Sequence, residues 1–265
     1  MGFDITYHPI KEQEIQKWYF DVMNDISLIG DLSVEYNIDD CYKDKYEDII
    51  LLAKEIKSTD LFDSCHGRYI SLIQGFFRTY YYTRDSAFSF LIDRNDTFKK
   101  YTKSWKEIVN EEIENPMKNK ITEHYSSGVF IPADQVSQLL DDYQCNGNVR
   151  EELNNFYSDE RIKVFIKALE FSKHNRMGLL ESTEVVEPNP VDFNTSLYYS
   201  DMYNCDQEGV FLYVEDAMRR TKEAKEFRNL NQKNKETRNE ENRKTEPVEI
   251  KGKKEFWKKL LWDFF

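Results

Sequence analysis

Apolar side chains recur along this chain at steps of three and four, the spacing of helices that bury one face. Ile15, Trp18, Tyr19, Val22, Met23, Ile26 and Ile29 follow that rule behind Pro9, which is placed to open a helix. Tyr46, Ile49, Ile50, Ala53 and Ile56 predict a second helix over 43–57. From Gly67 to Arg84, Ile70, Ile73, Phe77 and Tyr81 line one side, while Phe76, Tyr80 and Tyr82 widen the apolar arc, which predicts a central helix. Trp105, Ile108, Val109 and Ile113 predict another, ended at Pro116. Pro132 is suited to the first position of a helix carrying Val136, Leu139, Leu140 and Tyr143. Asn148 and Ser158 are placed to cap two more, one through Leu153 and one through Phe165.

Four shorter runs read as strands: Phe3 to Tyr7, Gly128 to Ile131, Leu179 to Val186 and Val210 to Val214. Strands and helices do not alternate strictly, so the pattern predicts an α+β fold, a helix-rich single domain with a small mixed sheet, over 1–218. A charged tether over 219–252 follows, nearly free of apolar residues after Phe227 and therefore a solvated helix or disordered. Apolar content returns in 253–265. On a helical wheel Phe256, Trp257, Leu260, Leu261 and Phe264 share one half, with Lys258 and Lys259 opposite, which predicts an amphipathic docking helix. A membrane surface, a partner's groove or the chain's own body would each satisfy that apolar face.

Charge sharpens the division. The 265 residues carry a net charge of −12, but residues 1–218 sum to −18 and residues 219–254 to +6. An acidic body disfavours nucleic acid and favours a basic partner, whose approach it would steer. The 15% aromatic content is enough to build a core of large rings. No long apolar run and no secretory signal pattern is present, so a cytoplasmic protein is expected, with the terminal helix allowing attachment to the inner face of a membrane. Cys41, Cys65, Cys145 and Cys205 form no C-x-x-C pair and are expected as free thiols.

Candidate chemistry is sparse. Arg68, Arg78, Tyr81 and Arg84 fall on and around the predicted central helix, and arginines beside aromatic rings suit a phosphate or carboxylate ligand; ordinary ion pairing around a packed core is the competing reading. Cys65 and His66 are adjacent, so their side chains diverge. His8, His66, His124 and His174 lack metal-ligand spacing, and Glu181, Glu184 and Glu187 are expected on a solvated face with partial burial. No phosphate-binding loop, dinucleotide fingerprint or nucleophile elbow occurs, so no catalytic residue, metal or cofactor is assigned.

The stretches Met1 to Pro9, Ile73 to Arg78 and Ser182 to Pro190 resemble those of uncharacterised bacterial cytosolic proteins, over the chain from Met1 to about Glu215. More broadly, the acidic, cysteine-poor α+β character resembles immunity proteins of bacterial toxin systems. That resemblance implies neutralisation of a toxin by covering its active surface, and it carries no catalytic residues over. The expected function is a non-enzymatic protein-interaction module, an immunity or inhibitor protein engaging a basic partner through an acidic face. The alternatives are a peripheral membrane adaptor anchored by the C-terminal helix and an enzyme with a pocket near Arg68, Arg78, Tyr81 and Arg84.

Overall fold

A computed structural model describes residues 2–109, 113–158 and 160–244. The seven docking residues from Phe256 to Phe264 lie outside the described residues, as does 245–252 of the tether. The chain divides into two compact units, Met1–Ala217 and Met218–Phe265.

The first unit is an α+β domain around a mixed sheet of five strands. Its strands are β1 (Asp4–Ile10), β2 (Tyr80–Arg84), β3 (Ser127–Ile131), β4 (Gly178–Thr183) and, after the hairpin strands β5 (Val186–Glu187) and β6 (Leu197–Tyr198), β7 (Cys205–Asp206). They lie in the order β3-β4-β1-β2-β7, antiparallel except that β7 runs parallel to β2. β1 is the central strand, pairing Tyr7 with Tyr81 on one side and with Glu181 on the other.

Both faces of the sheet are covered by helices. On one face lie the pieces α1 (Glu12–Ile15) and α2 (Asp21–Asn24), joined by a π-helical turn over Gln16–Phe20, then α3 (Leu28–Glu35), α4 (Asp40–Lys54) and α5 (His66–Phe77). The wide turn lets Trp18, Tyr19 and Phe20 all turn inward, and Trp18 stacks flat on Phe77 at 4.3 Å. Ile10, Tyr80, Tyr82, Phe130 and Leu180 meet these helices. On the opposite face, Ile5, Tyr7, Tyr81, Val129 and Leu179 pack against α6 (Phe88–Arg94), α7 (Ala133–Cys145), α8 (Gly147–Phe156) and α9 (Arg161–Asn175). Every residue of β1 is buried, as a strand sandwiched between two helix layers requires. Its three polar side chains on the first face are paired: Asp4 accepts from the Tyr82 hydroxyl at 2.6 Å, and His8 bonds Gln74 at 2.6 Å and Thr6 at 2.8 Å.

Several predicted elements change type. The helix expected from Gly67 to Arg84 stops at Phe77, and Arg78 turns extended into β2. Tyr80 and Tyr82 face one core and Tyr81 the other, so what widened the helical arc is the period of two of a strand buried on both sides. Val210 to Val214 lies inside α10 (Gln207–Lys244); Val210 and Val214, one turn apart, are its buried contacts. Pro9 lies within β1, opposite Leu179 of β4, rather than opening a helix; the β2 ladder stops at Tyr7, and Gln74 donates to the Pro9 carbonyl. Trp105–Glu107 is one 3₁₀ turn, boxed by Ser104 and Glu107. The caps expected at Asn148 and Ser158 fall on Asn146, which accepts from Asn148 N and Val149 N, and on Glu160.

In the second unit α10 runs on as a charged helix as far as Lys244. No helix among the described residues is long and apolar enough to cross a membrane. The four cysteines are free thiols.

Candidate functional site

Where β4 leaves the sheet the chain makes a corner built from charged groups. Glu184 and Tyr125 both adopt left-handed backbone angles, φ 49° and 61°, a cost that needs surrounding contacts to hold it. Those contacts are present. The Glu184 carboxylate is buried and accepts from the backbone N–H groups of Asp4 and Tyr125, at 3.3 and 3.0 Å. Its Oε1 also lies 2.6 Å from His124 Nδ1, whose ring stacks on Phe3. Arg68 donates to the Thr183 carbonyl at 3.1 Å, its guanidinium 4.5 Å from the Tyr125 ring centre and 5.4 Å from that of Tyr199. Burial pulls the Arg68 pKa down, and the Glu184 charge opposes that pull.

The four sequence-predicted ligand residues do not gather round one cavity. Arg84 joins the same corner through Asp4, at 2.5 Å, and stacks over Tyr213; burial works against its charge, but the bond to Asp4 outweighs burial and pushes its pKa up. Arg78 lies apart, forked onto Glu14 at 2.8 and 2.9 Å and laid over Trp18. Tyr81 is buried on the other face of the sheet, where desolvation raises its hydroxyl to about 12. Each arginine is spent on an internal partner, so this group organises the fold. Glu181 and Glu184, expected on a solvated face, are buried instead. Ser89 takes up the Glu181 carboxylate through its N–H and hydroxyl. Three of the histidines are engaged in the same manner, with His66 Nδ1 bonded to the Tyr19 hydroxyl at 2.6 Å. No metal-binding cluster occurs among the described residues.

The corner launches an excursion that sequence reading passed over. From Val186 the chain runs out through the β5–β6 hairpin and a 3₁₀ turn at Met202–Asn204 before returning to the sheet as β7. Its base is fixed: Tyr125 donates to Glu187 at 2.9 Å, Tyr199 N to the Val185 carbonyl, and Ser200 to the Leu72 carbonyl. Its crest is open, with Val191 94% and Tyr203 85% exposed, alongside Phe193, Leu197 and Met202. Phe211 of α10 adds its ring beside Phe193, centres 6.3 Å apart. Isolated exposed apolar residues need no explanation, but here several lie in series on one ordered loop. The charge pattern is one-sided as well. Between Met177 and Met218 there is no Lys, Arg or His, against nine acidic residues that include Glu187, Asp192, Asp201, Asp206 and Glu208. The signal was legible as this cation-free stretch, which counting over the whole 1–218 segment averaged away.

Comparison with protein-family models, curated proteins and solved structures gives no match to this chain.

Proposed function

We propose that this chain is a non-enzymatic protein-interaction module whose excursion over 186–208 seats a basic partner, in the manner of an inhibitor or immunity protein that covers its target's working surface. The observation that carries the reading is the coincidence, on one ordered segment, of exposed apolar anchors with the complete absence of cations. Tyr203 and Phe193 offer large aromatic contacts with few rotatable bonds, and Met202 adds an adaptable one beside them. The surrounding carboxylates select against acidic partners and favour positive ones, and the charge of −18 over residues 1–218 would accelerate their approach.

The test is capture from a native lysate with three forms of the full chain: wild type, Phe193→Ala with Tyr203→Ala, and Leu51→Ala with Leu52→Ala on the exposed side of α4. A single basic protein retained by wild type and by the α4 variant, but lost from the excursion variant, is the expected outcome. The purified partner's on-rate should then fall steeply as salt rises past the point where the screening length drops below about 10 Å. Equal retention by all three forms would remove the excursion from the interface.

A further inference from the structure

Beside the β3 edge of the sheet lies a cleft of about 370 Å³, within the range of small-molecule sites and sharing no residue with the excursion. Its walls come from α6, from the segment that follows α6, and from the stretch that leads into β3. Four lysines line it, Lys99, Lys103, Lys118 and Lys120, against two acids, Asp93 and Glu107. Such a surplus is unexpected on a body whose acids outnumber its bases by 18. Lysines brought to one concave surface repel each other, and a low-dielectric wall strengthens that repulsion, so the arrangement favours an anion between them.

The lysines are not equivalent. Lys103 reaches out to Glu12 at 2.7 Å and Lys120 is held by Asp93 at 3.1 Å. Lys99 and Lys118 make no ion pair with any described residue; Glu107, which accepts from Ser104 N at 3.2 Å, offsets one of their charges and leaves the lining a net positive charge. A phosphate monoester at neutral pH carries close to two negative charges and three strong acceptors, and lysine ammonium groups bind it as point charges. The hydroxyls of Thr102 and Ser104 also border the cleft, while Ile92 and Val129 give it an apolar wall. Ser89 closes the lining on that side, its own hydroxyl committed to the buried Glu181 at 2.6 Å, so that it holds the wall and is not a free nucleophile.

We infer that this cleft binds a small organic phosphate, with the phosphoryl group taken by Lys99 and Lys118 and the carbon body laid against Ile92 and Val129. Inorganic phosphate supplies the first half of that recognition only, and an unphosphorylated sugar or nucleoside only the second.

The experiment is calorimetric titration of the full chain with inorganic phosphate, glycerol 3-phosphate, glucose 6-phosphate and nucleoside 5′-monophosphates, and with the unphosphorylated forms of the organic ones. Three proteins are compared: wild type, Lys99→Glu with Lys118→Glu, and Lys45→Glu with Lys54→Glu, which makes the same charge change on α4. At least one organic phosphate should bind wild type and the α4 variant alike, more tightly than inorganic phosphate, and at least about tenfold more weakly to the cleft variant. Both lysines of each variant lie at the surface, so a melting temperature close to wild type for both variants validates the comparison. Silence from the whole panel would overturn the proposal. So would inorganic phosphate binding as tightly as any ester, or equal weakening by the two variants, which would mark the effect as bulk charge.

Discussion

Single atoms decide two of the strongest features of this molecule. A β-carbon added at Gly209 would lie 1.7 Å from the carbonyl oxygen of Tyr82, a backbone atom of β2 that has no side chain to swing away. In an ordinary solvated helix, alanine in place of glycine stabilises by about 1 kcal/mol. Here Gly209→Ala should reverse that sign and cost about 3 kcal/mol, because the first turn of α10 must lift from the sheet; an unchanged thermal midpoint would mean that the helix docks with slack. Buried titratable groups set the pH response. Burial holds His8 down to about 3 and His66 to about 4 from an ordinary 6.5, so below pH 6.5 the unfolded chain takes up protons the folded one refuses and stability falls. Glu181 works in the opposite sense. Desolvation raises it from 4.5 to about 7, so the folded chain keeps a proton that the unfolded chain has released, and stability declines as pH climbs through that interval. Below pH 6.5 the two histidines outweigh Glu181, so these three groups together make stability rise from acid toward pH 6.5 and change little beyond it. Glu181→Gln keeps the shape and lets the Ser89 hydroxyl turn to accept from the new amide. Urea titrations should show the variant gaining on wild type by about 3 kcal/mol between about pH 4.5 and 8. Parallel profiles would mean that Glu181 is ionised throughout.

At the scale of elements, the corner and its excursion form one mechanical unit. Arg68 is the pin: it bonds the carbonyls of Thr183 and Glu184 and fills the space between the rings of Tyr125 and Tyr199. Lysine keeps the charge but has neither the flat surface nor the fork. Arg68→Lys should therefore cost about 1 to 2 kcal/mol and speed chymotryptic cleavage at Phe193 and Tyr203; cleavage at the wild-type rate would show that the excursion holds itself. Much of this level was readable in the sequence. β3 with α7 behind Pro132, β4, and the stripes of α4 and α9 follow from spacing, since each helix buries one face with a clean period and each strand is a short apolar run bounded by turn signals. β2 and the start of α10 were not readable. The first follows α5 with only Arg78 and Thr79 between, and buries aromatic residues on both faces. The second presents five apolar residues in a row, Val210 to Val214, a pattern strands and helices share until tertiary contacts choose between them. The arginine cluster was half legible: residue type and aromatic neighbours were right, but whether a guanidinium faces a ligand or an internal carboxylate depends on Glu14 and Asp4, 64 and 80 positions away in the chain.

For the whole molecule, a single net charge hides a polarity. The lysine-lined cleft and the cation-free excursion belong to one acidic domain, so a multivalent anion and a basic protein would meet separate surfaces on it. If both proposals hold, raising salt should weaken both, but by different laws. The small anion loses a local attraction, whereas the protein partner loses its long-range steering first, seen as a slower on-rate at nearly constant off-rate.

The absence of lysine and arginine from Met177 to Met218 reaches into the chemistry of detection itself. Trypsin leaves this surface on one long peptide, bounded by Arg176 and Arg219. Amine-directed cross-linkers find no anchor on it. A proteomic map built on those two reagents would record the rest of the domain and pass over the excursion. Carbodiimide coupling reverses the situation, because it would join Asp192, Asp201 or Glu187 to a partner's lysine and leave the contact as a zero-length covalent bond.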